Sequence, residues 1–131
     1  DFGDEDSMSG DFLLPNTYCA VAPHKSSKES LWFIKVKDSR VANESVTDDY
    51  QYTVSGGQEY IEGQFLEKVD DMFDKGIIYK LISKKKTYFY KESDVYPFVQ
   101  FTTTNKGLYL LSLKEYVEIL NFVESSGVSR V

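Results

Sequence analysis

Among 131 residues there is one imidazole, His24, and one thiol, Cys19. A cysteine nucleophile needs a base held against it and a third group to orient that base. Cys19 lies in the apolar run Tyr18–Ala22, which reads as a strand, and His24 in the polar segment that follows. The pair is therefore read as a buried small hydrophobe and an exposed loop histidine. No G-x-S-x-G turn offers a serine instead. A zinc site of the usual kind takes four ligands, mostly thiolate and imidazole, and one of each is too few. Asp70, Asp71, Asp74 and Gly76 share the acidic start of a calcium loop. Counted from Asp71, however, ligand positions fall on Phe73 and Lys75, and Ile82 stands where the closing glutamate belongs. Asp48 beside Asp49, and Glu59 near Glu62, are carboxylate pairs suited to acid–base work, but 21 acidic residues make such pairs common by chance. Ser55-Gly56-Gly57 lacks the lysine of a phosphate loop and precedes a strand rather than a helix. The expectation is no catalytic residue, no metal and no cofactor: not an enzyme.

Recognition chemistry is better represented. Ten Tyr, nine Phe and one Trp make the chain 15% aromatic, more than one small core consumes. In a strand successive side chains face opposite ways, so Trp32 and Phe33 diverge, as do Tyr88 and Phe89. Exposed rings bordered by Asp48, Glu92 or Asp94 are what a cage for a methylated ammonium requires, each cation–π contact contributing ~0.5–2 kcal/mol. The expected cage draws on Trp32 or Phe33 and on Tyr88 or Tyr90, with Asp94 balancing the ligand charge. Two other uses of the rings compete with it: a second core under a C-terminal helix, and an interface with another copy or domain. Lys84, Lys85 and Lys86 form the one basic patch, beside Tyr88 and Tyr90 as stacking platforms for nucleic acid. A lysine-capped turn that protects a strand edge explains the same residues. The net charge of −6 and pI near 4.8 argue against extensive phosphate contact, so nucleic acid is the less favoured partner.

These residues need elements to hold them. Residues 1–11 are acidic and poor in apolar side chains, as expected of a flexible tail, and residues 12–131 suit one domain. No basic-then-apolar leader pattern opens the chain and no apolar run approaches the ~20 residues of a membrane span, so an intracellular protein off the membrane is expected. Tyr18–Ala22 and Leu31–Val36 read as a hairpin with a long loop, and Tyr50, Tyr52 and Val54 alternate as a further strand. Tyr60–Val69 reads as a strand bent at Gly63. Ile77–Ile82 and Thr87–Tyr90 read as a hairpin with the three lysines at its tip, Val95–Phe101 as an edge or crossing segment because of Pro97, and Leu108–Leu111 as a last short strand. Ser112 and Glu115 form a capping box, and Leu113, Tyr116, Val117, Leu120 and Val123 repeat at helical spacing, which predicts a helix over 113–124.

Tyr18–Ala22, a polar loop and then Leu31-Trp32-Phe33-Ile34-Lys35-Val36 resemble the first hairpin of the Tudor and PWWP branch of SH3-like barrels, with Trp32 and Phe33 carrying the likeness. Lys86–Tyr90 followed by Asp94-Val95-Tyr96-Pro97-Phe98 is similar to the closing hairpin of PWWP domains and the segment after it, and the BAH domain is a more distant likeness. The chain departs from PWWP in lacking Pro-Trp-Trp-Pro and in an insertion of roughly thirty residues, long enough for its own hairpin. Phe65-Leu66-Glu67 and Tyr88–Glu92 also look like modules of transposon-derived proteins. The resemblance implies a mainly-β, SH3-like bent antiparallel barrel with an inserted hairpin and one C-terminal helix. It further implies a binding module for a peptide or methylated histone tail, in a nuclear chromatin-associated or mobile-element protein. A structural or oligomerisation domain is the alternative, and nucleic-acid contact through Lys84–Lys86 the third reading.

Overall fold

The computed structural model describes residues 14–23, 30–72, 76–90 and 95–126. His24, Asp74, Asp94 and the acidic tail lie outside the described residues. Tyr18–Val21 (β1) and Trp32–Val41 (β2) pair antiparallel, with Val21 opposite Trp32. Val46–Thr47 (β3) and Thr53–Val54 (β4) form a small separate hairpin. Tyr50 and Tyr52, expected in its strand, stand in the turn instead, where Gln51 takes a φ of 71°.

The organising element is Glu59–Met72 (β5), 14 residues long. One of its edges carries β2, from Val41↔Glu59 to Phe33↔Leu66. Gly76–Leu81 (β6) and Thr87–Tyr90 (β7) do not form the hairpin that their spacing suggests. Both pair with the other edge of β5, β7 along Tyr60–Gly63 and β6 along Leu66–Met72. The strand bends between these two stretches, and the reason lies at Gly63. A Cβ there would collide with Ile34 Cγ2 and sit 2.8 Å from the Lys35 carbonyl oxygen. Only glycine lets the two backbones approach so closely at the bend. Across from it the register of β2 shifts between Val36 and Asp38, leaving Lys37 as a bulge that adds curvature.

Val95–Tyr96 (β8) extends the sheet beyond β1, and Thr102–Thr103 (β9) and Tyr109–Leu111 (β10) extend it beyond β6. The result is mainly β: a curled antiparallel half-barrel with one C-terminal helix, Leu113–Ser126 (α1). Ser112 Oγ accepts the Glu115 N–H at 3.2 Å, so one arm of the capping box is made. The helix seats itself through Tyr116, Ile119, Leu120 and Val123, whereas Leu113 and Val117 are 48% and 46% exposed. Two overlapping apolar stripes were available to it. The ring of Tyr116, 6.4 Å from that of Phe33, lies on the stripe that meets the aromatic side of the sheet.

Burial is two-sided. Ala20, Phe33, Leu66, Tyr79 and Leu111 pack beneath α1, while Cys19, Val21, Ile34, Ile61 and Phe89 fill the opposite side of the same strands. A third cluster joins Ala42, Val54 and Tyr60. Much of the aromatic surplus is consumed in this way. Phe33, Tyr79 and Phe101 meet edge-to-face under the helix, with centroids 5.0–5.9 Å apart.

Candidate functional site

β2 begins at Trp32, but β5 runs on past Leu66, and a groove of about 460 Å³ opens where the two part. Trp32, Tyr50, Tyr52, Phe65 and Tyr79 contribute rings to it, and Glu67 and Lys68 contribute charge. Trp32 and Tyr50 each meet Phe65 nearly perpendicularly, at 73° and 82°, with centroids 5.4 and 5.0 Å away. Phe65 and Glu67 stand two residues apart on one strand and so share a face. Glu67 Oε1 lies 3.7 Å from Lys80 Nζ on the neighbouring strand, an exposed pair worth at most ~1 kcal/mol.

Tyr50 is placed by a buried acid. Asp48, 4% exposed, accepts the N–H groups of Tyr50 and Tyr52 through Oδ1 at 2.8 and 2.9 Å. Its Oδ2 accepts the Thr87 hydroxyl at 3.1 Å and the Tyr88 N–H at 2.8 Å. Asp49 adds a second tie, because its Oδ2 accepts the Lys86 N–H at 2.8 Å and its own N–H donates to the Lys86 carbonyl at 3.2 Å. The turn before β4 is thus clipped to the start of β7, which fixes the Tyr50 ring against Phe65. The Tyr50 phenol is held above its ordinary pKa, first by burial and then by the charges of Asp48, Asp49 and Glu67. A neutral phenol in a negative field presents an electron-rich ring, and Lys85 Nζ already sits over it, 5.2 Å from the centroid.

The aromatic residues singled out in the sequence divide among three places. Trp32 lines the groove, while Phe33 is 1% exposed beneath α1 and has no face to offer a ligand. Tyr88 and Tyr90 pack with the third cluster, Tyr88 against Tyr60 at 4.8 Å and Tyr90 against Tyr52 at 6.2 Å. The structure therefore brings Trp32 together with Tyr50 and Phe65, and Tyr90 reaches the groove only through Tyr52. Lys84, Lys85 and Lys86 are exposed between β6 and β7, and Lys85 borders the groove. From the sequence Asp48 is half of a chance carboxylate pair and an acid bordering the rings, not the anchor of a turn, and Phe65 and Glu67 have no site role. Two signals could have found them: an acidic pair opening a turn, which binds backbone N–H groups, and the i, i+2 spacing of a ring and an acid on one strand.

Cys19 is fully enclosed and burial pushes its thiol up to about 12, which makes it a poor nucleophile at neutral pH. Asp70 and Asp71 continue β5, and among the described residues no group of three or more His, Cys, Asp or Glu converges to hold a metal. No helix among them is long and apolar enough to cross a membrane. Comparison with known protein families, with curated proteins and with solved structures finds no match.

Proposed function

We propose that the chain is a non-catalytic peptide-recognition module whose groove seats the ammonium of a lysine, methylated in the tightest case. The observation that carries this reading is the corner formed by Trp32, Tyr50 and Phe65 beside Glu67, with an ammonium, that of Lys85, resting on one of its rings. Rings at right angles offer a cation more than one π face, and methylation lowers the cost of taking the ammonium out of water. The curled sheet with Trp32 opening its second strand supports assignment to the SH3-like barrels of the Tudor and PWWP kind. A nuclear, chromatin-associated or mobile-element protein is the corresponding setting.

The test is a titration of the full chain with lysine, monomethyl-lysine and trimethyl-lysine peptides. Expected are saturable binding that tightens with methylation and quenching of the Trp32 fluorescence. Failure of every peptide to bind, or binding that leaves the Trp32 signal untouched, would overturn the reading.

A further inference from the structure

Two cations cannot share the face of Tyr50. Lys85 Nζ lies 5.2 Å from the centre of that ring, so a ligand ammonium that uses it must displace Lys85. The displaced side chain cannot go far. Its neighbour Lys86 is held by two hydrogen bonds to Asp49, which pin the turn at the rim of the groove. The carboxylates described around the groove already carry contacts. Asp49 Oδ2 accepts the Lys86 N–H, Asp48 accepts backbone and hydroxyl donors, and Glu67 faces Lys80 at 3.7 Å. Lys84 and Lys86 stand on either side and add like charge. A ligand that supplies only a cation would therefore set one more positive charge beside Lys84, Lys85 and Lys86.

We propose that the groove selects a two-signed peptide: an ammonium for the aromatic corner and, a few residues along, an Asp or Glu side chain for the displaced Lys85. This rests on the reading of the groove as an ammonium site and adds the class of sequence it accepts. Lysine at the tip thereby becomes a specificity-determining residue rather than a strand-edge guard. It also discriminates against uniformly basic tails, which would meet Lys84, Lys85 and Lys86 with charge of the same sign.

The experiment is calorimetric titration of the full chain with two Gly–Ser peptides, each carrying one trimethyl-lysine, with Glu three residues away in one and Gln in the other. The Glu peptide is expected to bind about fivefold more tightly, with the difference shrinking at high salt. In Lys85→Gln the two peptides are expected to bind within about twofold of each other, and the Gln peptide more tightly than it binds the unaltered chain. Equal affinities in the unaltered chain, with both lost in Trp32→Ala, would leave the ammonium site standing and overturn the acidic preference. A preference that survives Lys85→Gln would remove Lys85 from the role. Binding of neither peptide would overturn both proposals. An oligothymidylate that displaces the peptides, with a steep loss of affinity on adding salt, would overturn them in favour of single-stranded nucleic acid.

Discussion

Asp48 shows how much one side chain can organise when it is buried and satisfied. A carboxylate out of water is costly unless its lone pairs are met, and here they are met by donors from the turn before β4 and from β7. Removing it leaves the buried Thr87 hydroxyl and three part-buried N–H groups without this acceptor. Asp48→Ala is expected to cost about 3–5 kcal/mol in chemical denaturation, and Asp48→Asn less, because one oxygen stays in place. Cys19 makes a different prediction. Its folded pKa of about 12 lies above the value of 9.0 for an unhindered thiol, so the unfolded chain loses this proton first as pH rises. The thiol's contribution is complete below pH 9 and is lost progressively towards pH 12, at up to about 1.4 kcal/mol per pH unit. Tyr18, raised from 10.0 to about 12 mainly by burial, adds to the loss only from pH 10 upward. Denaturation midpoints between pH 9 and 10 should therefore fall in the unaltered chain and stay nearly flat in Cys19→Ala.

Elements were legible in this sequence where a local pattern decided them, and not where a distant partner did. The β1–β2 hairpin, the bend at Gly63 and the helix after Ser112 follow from alternation, from one glycine in an apolar run and from a capping box. That β6 and β7 pair with β5 rather than with each other has no local sign, because both readings place the same residues in strands. The choice lies in the length and bend of β5. The helix stripe escaped for a similar reason: Val117 and Ile119 are both apolar, and only the sheet beneath decides which one turns inward. In the groove, Trp32 was legible as a ring at a strand start, but Phe65 and Tyr50 meet it only after β5 and the turn before β4 have been brought together. Gly63→Ala tests the element that does this. The added methyl forces β2 and β5 apart and is expected to cost about 1–3 kcal/mol, read as a lower thermal midpoint. If the bend rather than general stability holds the corner together, the same variant also loses ligand well below its melting temperature.

At the scale of the whole molecule, two neighbouring aromatics of β2 should separate function from folding. Phe33→Ala removes a ring from the core under α1 and is expected to cost about 3–5 kcal/mol. Trp32→Ala touches the groove wall and is expected to weaken trimethyl-lysine peptide binding at least about tenfold, the loss of one aromatic anchor, with a much smaller change in thermal midpoint. Light scattering after size exclusion weighs the competing use of the same rings. A module that works through the groove is expected to elute at the mass of one chain. A dimer dispersed by Tyr50→Ala would assign these aromatics to an interface between copies.

β5 also dictates how the chain must reach this structure. It is flanked by strands from both sides in sequence, with Phe33 opposite Leu66 and Ile61 opposite Phe89. Neither half of the chain can complete a sheet without it, and although its pairing with β6 is a local hairpin closed at Met72 and Gly76, those with β2 and β7 close longer loops. Closing such loops before any contact rewards them places the chain among slow folders, on the order of milliseconds to seconds. The same seam leaves little room for partial opening, since releasing β5 from β2 also undoes the surface on which β6 and β7 lie. Amide protons along Tyr60–Leu66 should accordingly exchange only through global unfolding, in step with those of β2 and β7.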